Sequence, residues 1–125
     1  ERQFVTRKAA NRDVLDKFEK LLNSYFTGDR ALHDGLPSVK YFAEECFLSP
    51  NYFGDLVKKE TGKTPQDHIQ SKIIDLAKEE LASSEDTINE ISYHLGFQYS
   101  QHFNRYFKRN VGVTPSQFRK QMAEA

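Results

Sequence analysis

The C-terminal third of the chain reads INEISYHLGFQYSQHFNRYFKRNVGVTPSQFR from residue 88 to residue 119. Apolar residues follow helical three- and four-residue steps on both sides of Gly96, where glycine favours a turn. These apolar residues are Ile88, Ile91, Leu95, Phe103, Tyr106 and Phe107. Thr87 and Glu90 have the spacing of a capping box, which marks a helix start. The pattern predicts a short helix, a tight turn and a second helix, which together form a helix-turn-helix unit.

A second copy of this pattern lies earlier in the chain, at an offset of 50 residues. The residues that recur are Phe53, Lys58, Gly62, Thr64 and Pro65, which return as Phe103, Lys108, Gly112, Thr114 and Pro115. Helical hairpins can repeat simply because they pack well, so the repeat alone leaves a purely structural explanation open. A functional explanation is favoured by the outer helix of the second copy, because residues 99–110 carry three cations and no acid.

The rest of the chain also follows helical spacing, and no segment shows the alternation of a strand. An apolar stripe between Val14 and Phe26 predicts a first helix, and residues 28–37 are expected to be a loop. We therefore predict an all-α fold of seven helices in a single domain, 1–125. Its parts are a first helix-turn-helix unit at about 38–62, a central linker helix at about 65–82, a second unit at about 87–112 and a last helix at about 115–122.

Composition limits the class of protein. Of the 125 residues, 38% are apolar and 13% aromatic, which is enough for a buried core and too much for a disordered chain. No apolar run is long enough to cross a membrane. The single cysteine, Cys46, cannot form an internal disulfide and favours a reducing, cytoplasmic setting. The chain begins with Glu1, so we expect it to be a piece of a longer protein, with residues 1–10 as a linker from a preceding domain.

Charge is unevenly distributed along a chain whose formal net charge is zero. Residues 1–86 carry 13 Lys and Arg against 16 Asp and Glu, whereas residues 87–125 carry 5 against 2. This asymmetry predicts a basic surface in the C-terminal third, as in proteins that bind nucleic acid. Ordinary solvated surface is the alternative explanation of such a basic run.

The second unit is similar to a known family. The signature of the arabinose-regulator (AraC/XylS) family of bacterial transcription regulators resembles the run Ile88-x2-Ile91-x3-Leu95-Gly96-Phe97-x5-Phe103-x3-Phe107-Lys108-x3-Gly112-x-Thr114-Pro115-x2-Phe118-Arg119. The segment Leu48-Ser-Pro-Asn-Tyr-Phe53 resembles the start of that family's first recognition helix, so the resemblance covers about residues 11–121. It implies sequence-specific binding to double-stranded DNA, with two recognition helices in adjacent major grooves. A linker over 65–82 would be about 27 Å long, which suits successive major-groove segments about 34 Å apart.

The resemblance also implies which residues contact DNA. In the second unit the base-reading residues would be Gln101, His102, Asn104 and Arg105, and the phosphate-binding residues would be Ser100 and Lys108. In the first unit the base-reading residues would be Asn51, Tyr52, Gly54 and Asp55, with Ser49 and Lys58 near the DNA backbone.

The first unit departs from the family pattern at Gly54 and Asp55, where a polar residue followed by arginine is usual. Glycine offers no side chain to a base, and aspartate repels phosphate. Asp55 can still accept a hydrogen bond from a cytosine amino group, or pair with Lys58 or Lys59 along its own helix. We therefore expect the first unit to be the weaker reader. Ser92, where the family favours alanine, is a milder departure.

No catalytic, cofactor or metal site is predicted. Gly62-Lys63-Thr64 resembles the end of a phosphate-binding loop, but Val57 stands where the leading glycine is required. The four histidines have no metal-ligand spacing, and Cys46 lies on an inward helical face. Enzymatic function is therefore not expected.

The resemblance also bears on partners. It makes RNA polymerase a possible partner and implies that oligomerisation uses a separate domain absent from these residues. A non-enzymatic helical module that binds protein is the alternative to a DNA-binding module, because Asp55 and the zero net charge fit it. Salt dependence separates the two, since DNA binding releases counterions and an apolar protein interface does not.

Overall fold

The structure, a computed structural model, describes residues 7–125, which form eight α-helices joined by short turns. The helices are α1 (Arg7–Tyr25), α2 (Arg30–Asp34), α3 (Val39–Glu45), α4 (Pro50–Thr61), α5 (Pro65–Ser83), α6 (Ile88–His94), α7 (Ser100–Val111) and α8 (Pro115–Glu124). Residues 7–125 contain no β-strand, and the predicted all-α class is confirmed. None of these helices has both the length and the apolar character needed to span a membrane. Of the expected linker, residues 1–6 lie outside the described residues, and residues 7–10 belong to α1.

The predicted count of seven helices is wrong for this part of the chain, because α2 forms where the sequence predicts a loop. Its five residues are too few to show a helical period, and Asp29 at its start makes no side-chain capping bond. Tertiary contacts stabilise it instead. Ala31 is 1% exposed. The Arg30 guanidinium lies over the rings of Tyr25 and Tyr41, 5.1 and 4.6 Å from their centroids.

Several helices begin where the sequence predicts, at capping hydroxyls. Each hydroxyl oxygen accepts a hydrogen bond from a backbone amide three residues later at 3.1 Å, in Ser49, Thr64, Thr87 and Thr114. The Glu90 carboxylate in turn accepts from the Thr87 amide at 2.7 Å, which completes the predicted capping box. Hydrogen bonds from Thr87 hold the pKa of Glu90 below its usual value.

The core contains one aromatic cluster in the first half of the chain, α1–α4, and another in the second half, α6–α8. In the first half, the ring of Phe18 meets those of Phe42 and Phe53 edge-on, at centroid distances of 5.2 and 5.1 Å. In the second half, the ring of Phe107 lies 5.9 Å from that of Phe103. Aromatic pairs at these distances add to the stabilisation from apolar burial.

The long helix α5 packs against both halves. It contacts α4 of the first half and α6 and α8 of the second. The buried residues of α5 are Pro65, Ile69, Ile73, Ile74, Ala77 and Leu81. All of them except Pro65 belong to the hydrophobic core. At its C-terminal end, the Arg119 guanidinium of α8 donates hydrogen bonds to the carbonyl oxygens of Leu81 and Asp86, at 3.0 and 2.6 Å. These bonds hold the turn between α5 and α6 against α8.

The two turns that precede α4 and α7 have the same hydrogen bonding. In the first turn, the Leu48 amide donates to the Ala43 carbonyl at 3.0 Å. In the second, the Phe97 amide donates to the Ser92 carbonyl, also at 3.0 Å. The repeat in the sequence is therefore a repeat in the structure. Ser92 is fully buried, and its hydroxyl donates to the Asn89 carbonyl at 2.9 Å, so serine is accommodated there without an unpaired polar group.

The first turn contains a residue in an unusual conformation, Phe47. It takes the position that Gly96 has in the second turn, and its φ of 60° lies in the left-handed region that bulky residues rarely adopt. The ring is 87% exposed, and the Lys17 ammonium lies 4.7 Å from its centroid. This cation–π contact offsets part of the conformational cost.

Replacing Phe107 with alanine should lower the free energy of unfolding by about 3–5 kcal/mol, because the fully buried ring would leave a cavity. Urea unfolding followed by circular dichroism measures the change. The control is Tyr99→Ala, which removes a ring that is 62% exposed and should change stability by less than about 0.5 kcal/mol. A Phe107→Ala protein that unfolds like its parent would place that ring outside the core.

Candidate nucleic-acid interface

One face of α7 brings together most of the predicted contact residues of the second unit. Gln101, Asn104, Arg105 and Lys108 are spaced three and four residues apart, which places them on the same side of the helix. All four are exposed, while the phenylalanine rings of the same helix are buried. Ser100, the first residue of α7, is half-buried. The helix therefore separates its packing residues from a continuous polar face.

The charge of α7 differs from that of α4. α7 carries Arg105, Lys108 and Arg109 in its twelve residues and no acid. α4 carries two lysines, which Asp55 and Glu60 balance. The basic surface predicted for the C-terminal third is thus found on α7, and its counterpart in the repeat is neutral.

His102 is exposed, and aromatic neighbours restrict its ring. The imidazole meets the ring of Phe97 edge-on at 5.0 Å and that of Tyr106 at 6.2 Å. Burial raises the pKa of Tyr106. These contacts present His102 at the surface in a restricted orientation, which lowers the entropy that binding would cost.

The outer face of α4 has the same spacing as that of α7. Asn51, Gly54, Asp55 and Lys58 precede their counterparts in α7 by 50 residues. Three of them are exposed, whereas Gly54 is half-buried and presents only backbone. Tyr52, next to this face, is also exposed. The structure therefore displays both predicted residue sets on equivalent faces.

The start of each helix differs in its polar groups. The Ser49 hydroxyl accepts a hydrogen bond from the Tyr52 amide at 3.1 Å, which leaves its own proton free to donate to another group. The corresponding residue before α7 is Tyr99, which makes no side-chain capping bond and is largely exposed. Tyr99 is not among the contact residues predicted from the sequence, although an aromatic residue in place of the usual capping hydroxyl is a visible signal.

No cation among residues 7–125 lies within ion-pair distance of the Asp55 carboxylate. The pairing with Lys58 or Lys59 that the sequence allows is therefore not formed. Asp55 and Lys59 line a cleft that Arg7 and Asn11 of α1 help to form. Arg7 and Asn11 are not among the contact residues predicted from the sequence, because only the packing of α1 against α4 brings them near Asp55.

A contact between distant residues holds the C-terminal end of α7 against α5. The Gln70 amide nitrogen Nε2 donates to Asn110 Oδ1 at 2.5 Å. Asn110 Nδ2 donates to the Tyr106 carbonyl at 2.8 Å. The orientation of the polar face of α7 is thus set partly by α5.

Other titratable groups that drew attention in the sequence lie away from these faces. Cys46 is buried as predicted, and burial raises the pKa of its thiol. His68 is half-buried with its Nε2 atom 2.9 Å from the Thr61 hydroxyl, and burial lowers its pKa. Among residues 7–125, no three His, Cys, Asp or Glu side chains are grouped so that they could hold a metal ion.

Comparison with known proteins shows what the chain is similar to. A protein-family profile described as a helix-turn-helix domain matches residues 42–121. The uncharacterized HTH-type transcriptional regulator YobQ of Bacillus subtilis is 32% identical over 104 residues, which cover 81% of this chain and 43% of YobQ. The chain therefore spans less than half the length of this relative.

Solved structures share the fold. An AraC-type transcriptional regulator from Chromobacterium violaceum has a TM-score of 0.73 at 20% identity, over 92% of this chain and 96% of that protein. The DNA-binding domain of the global transcriptional factor AdpA, solved in complex with a target DNA, has a TM-score of 0.72 at 18% identity. That match covers 86% of this chain and 90% of the AdpA chain.

Proposed function

Because the chain belongs to the arabinose-regulator (AraC/XylS) family of helix-turn-helix transcription regulators, we propose that it is the sequence-specific DNA-binding module of a bacterial regulator. The family is one of DNA-binding proteins and not of enzymes. The polar face of α7 carries the proposal, since it combines exposed hydrogen-bonding side chains with two cations, on a helix that has no acid. Such a helix suits the major groove, where base edges present donors and acceptors and phosphates line both walls.

The base contacts of the second unit follow from the chemistry of its side chains. The Arg105 guanidinium can donate two hydrogen bonds to one guanine, through O6 and N7. The amides of Asn104 and Gln101 can pair with the N6 and N7 atoms of adenine. His102 can reach a base edge from its position against Phe97. We assign these side chains to sequence reading because they share one exposed region of α7.

Phosphate contacts position a protein on DNA without reading sequence. We assign them to residues that flank the reading positions on both helices, Ser100 and Lys108 on α7 and Ser49 and Lys58 at α4. The free proton of the Ser49 hydroxyl supports its role, because a phosphate oxygen accepts it while the cap of α4 stays intact.

The first unit is proposed to contribute more to positioning than to sequence reading. Asn51 and Tyr52 offer polar groups to bases, whereas Gly54 offers none and lets the backbone approach the groove wall. The Asp55 carboxylate has no ion-pair partner among residues 7–125 to neutralise its repulsion of phosphate. Its remaining favourable role is to accept from a cytosine amino group.

The length of α5 supports a two-site arrangement. Its 19 residues span about 28 Å, and successive major-groove segments on one face of DNA lie about 34 Å apart. We propose that α5 is the linker between a first unit at about 38–62 and a second at about 87–112, with α8 supporting the second. The two recognition helices, α4 and α7, would then occupy adjacent major grooves.

We extend the proposal to the partners and location of the whole regulator. By family resemblance, RNA polymerase is its partner at promoters, and a separate domain provides oligomerisation. DNA binding of this kind places the protein in the bacterial cytoplasm, where the chromosome lies.

Selection of bound sites from random double-stranded DNA tests the proposed function. We expect a sharp block of preferred bases from α7 and, about 10 base pairs away, a weaker block from α4. Affinity should fall steeply as salt rises, because each neutralised phosphate releases counterions. A protein that selects no sequence and shows no salt dependence would be the helical protein-interaction module instead.

Arg105→Ala should weaken binding to the selected site by about 1–3 kcal/mol and relax base preference at one position, because a bidentate base contact is lost. Lys108→Ala should weaken all sites about equally and reduce the salt slope by about one. Fluorescence anisotropy on matched and mismatched duplexes measures both effects. The control is Lys120→Ala, which removes an exposed charge of α8. Unchanged affinity and base preference in folded Arg105→Ala would remove Arg105 from the interface.

Asp55→Asn should raise the overall affinity for DNA more than it changes base preference, because it removes a negative charge that faces phosphates without an ion-pair partner. Titrations on selected and random duplexes separate the two effects. Asp75→Asn removes an equal charge from an exposed position of α5 and is the matched control. A sharp block of bases under α4 that Asp55→Asn abolishes would instead make Asp55 a direct reader of cytosine.

A further inference from the structure

The two halves of the chain also touch through backbone segments that lie outside α5. Gly35 and Leu36, between α2 and α3, lie against Gly96, in the turn between α6 and α7. A Cβ atom added to Gly96 would lie 2.9 Å from the carbonyl carbon of Gly35 and 3.0 Å from the amide nitrogen of Leu36. Side chains do not approach backbone atoms so closely, so this glycine contact of Gly35 and Leu36 with Gly96 requires glycine at position 96.

The first half of the chain holds Gly35 firmly in place. The hydroxyl of the buried Tyr25, on α1, donates to the Gly35 carbonyl at 2.7 Å. The Gly35 amide donates to the Ala31 carbonyl at 2.8 Å. Gly35 has φ 86° and ψ −167°, a combination open almost only to glycine. The glycine contact therefore joins two backbone segments that are each fixed in their own half.

The glycine contact lies close in sequence to both recognition helices, α4 and α7. Gly35 and Leu36 lead directly into α3, which packs on α4. Gly96 lies four residues before the start of α7 at Ser100. A single shared helix would leave each unit able to rock about its end of α5. A second contact made by residues outside α5, beside the packing of α2 on α6, opposes that rocking.

We propose that the glycine contact sets the position of α7 relative to α4, and thereby the number of base pairs between the two blocks of a preferred DNA site. This inference rests on the proposed function. A rigid pair of readers engages both blocks at a high effective concentration, but only at the spacing that matches its geometry. Each base pair inserted between the blocks moves the second by about 3.4 Å and turns it by about 35°.

Gly96→Ala and Gly112→Ala form a matched pair for the test. Gly96 and Gly112 have similar left-handed φ values, 106° and 98°, so alanine strains the backbone similarly at both. A Cβ at Gly112 meets no atom within 4 Å, so only Gly96→Ala disturbs the glycine contact. Affinity is measured for the selected site, for sites with one base pair inserted or removed between the blocks, and for the α7 block alone.

We expect the parent protein and Gly112→Ala to lose at least about tenfold in affinity when the spacing changes by one base pair. For the same change in spacing, the affinity of Gly96→Ala should fall by less than about threefold. Its affinity for the α7 block alone should equal that of the parent. A folded Gly96→Ala protein with the spacing profile of Gly112→Ala would overturn the proposal. If the parent selects no site at all, the proposed function fails, which is a separate result.

Tyr25→Phe decides the question if Gly96→Ala does not fold. It removes the hydroxyl that donates to Gly35 and keeps the buried ring. When the spacing changes by one base pair, we expect Tyr25→Phe to lose more than about threefold in affinity but less than the parent loses. A Tyr25→Phe protein with the spacing profile of the parent would then overturn the proposal.

Discussion

A helix-turn-helix unit of about 25 residues is too small to bury a core of its own, since isolated domains below about 40 residues usually need other support. α5 meets this constraint for both units at once. Its buried side chains Ile69, Ile73, Ile74 and Leu81 lie in one core that includes the aromatic residues of the first half and of the second. The two candidate reading helices are therefore parts of a single folded body, and each depends on a helix that the other also uses.

The repeat separates stability from recognition. Phe53 and Phe103 are fully buried at equivalent positions of α4 and α7, whereas the side chains on the outer faces of both helices are exposed. Packing thus constrains the inner positions of both copies and leaves the outer positions free to differ. As a result one scaffold presents a basic face on α7 and a neutral face, with Asp55 at its centre, on α4.

Contacts between distant residues hold these faces in a defined arrangement. Arg119 ties α8 to the end of α5, and Gln70 ties α5 to the end of α7. The contact of Gly35 with Gly96 joins the two halves without using α5. Together they fix α8, the C-terminal end of α7 and the turn that precedes α7. This is the preorganisation that a helix needs to place several side chains on adjacent bases.

The sequence by itself determined the all-α class, the repeat, the capped helix starts at Ser49 and Thr87, and which faces of α4 and α7 are exposed. Caps and three- and four-residue spacing act over a few neighbouring residues, so they can be read along the chain. Only the tertiary structure decided that α2 is a helix, that Phe47 is exposed in a left-handed turn, and that Gly96 meets Gly35. These features depend on packing between residues far apart in the chain, which no local period or capping signal encodes.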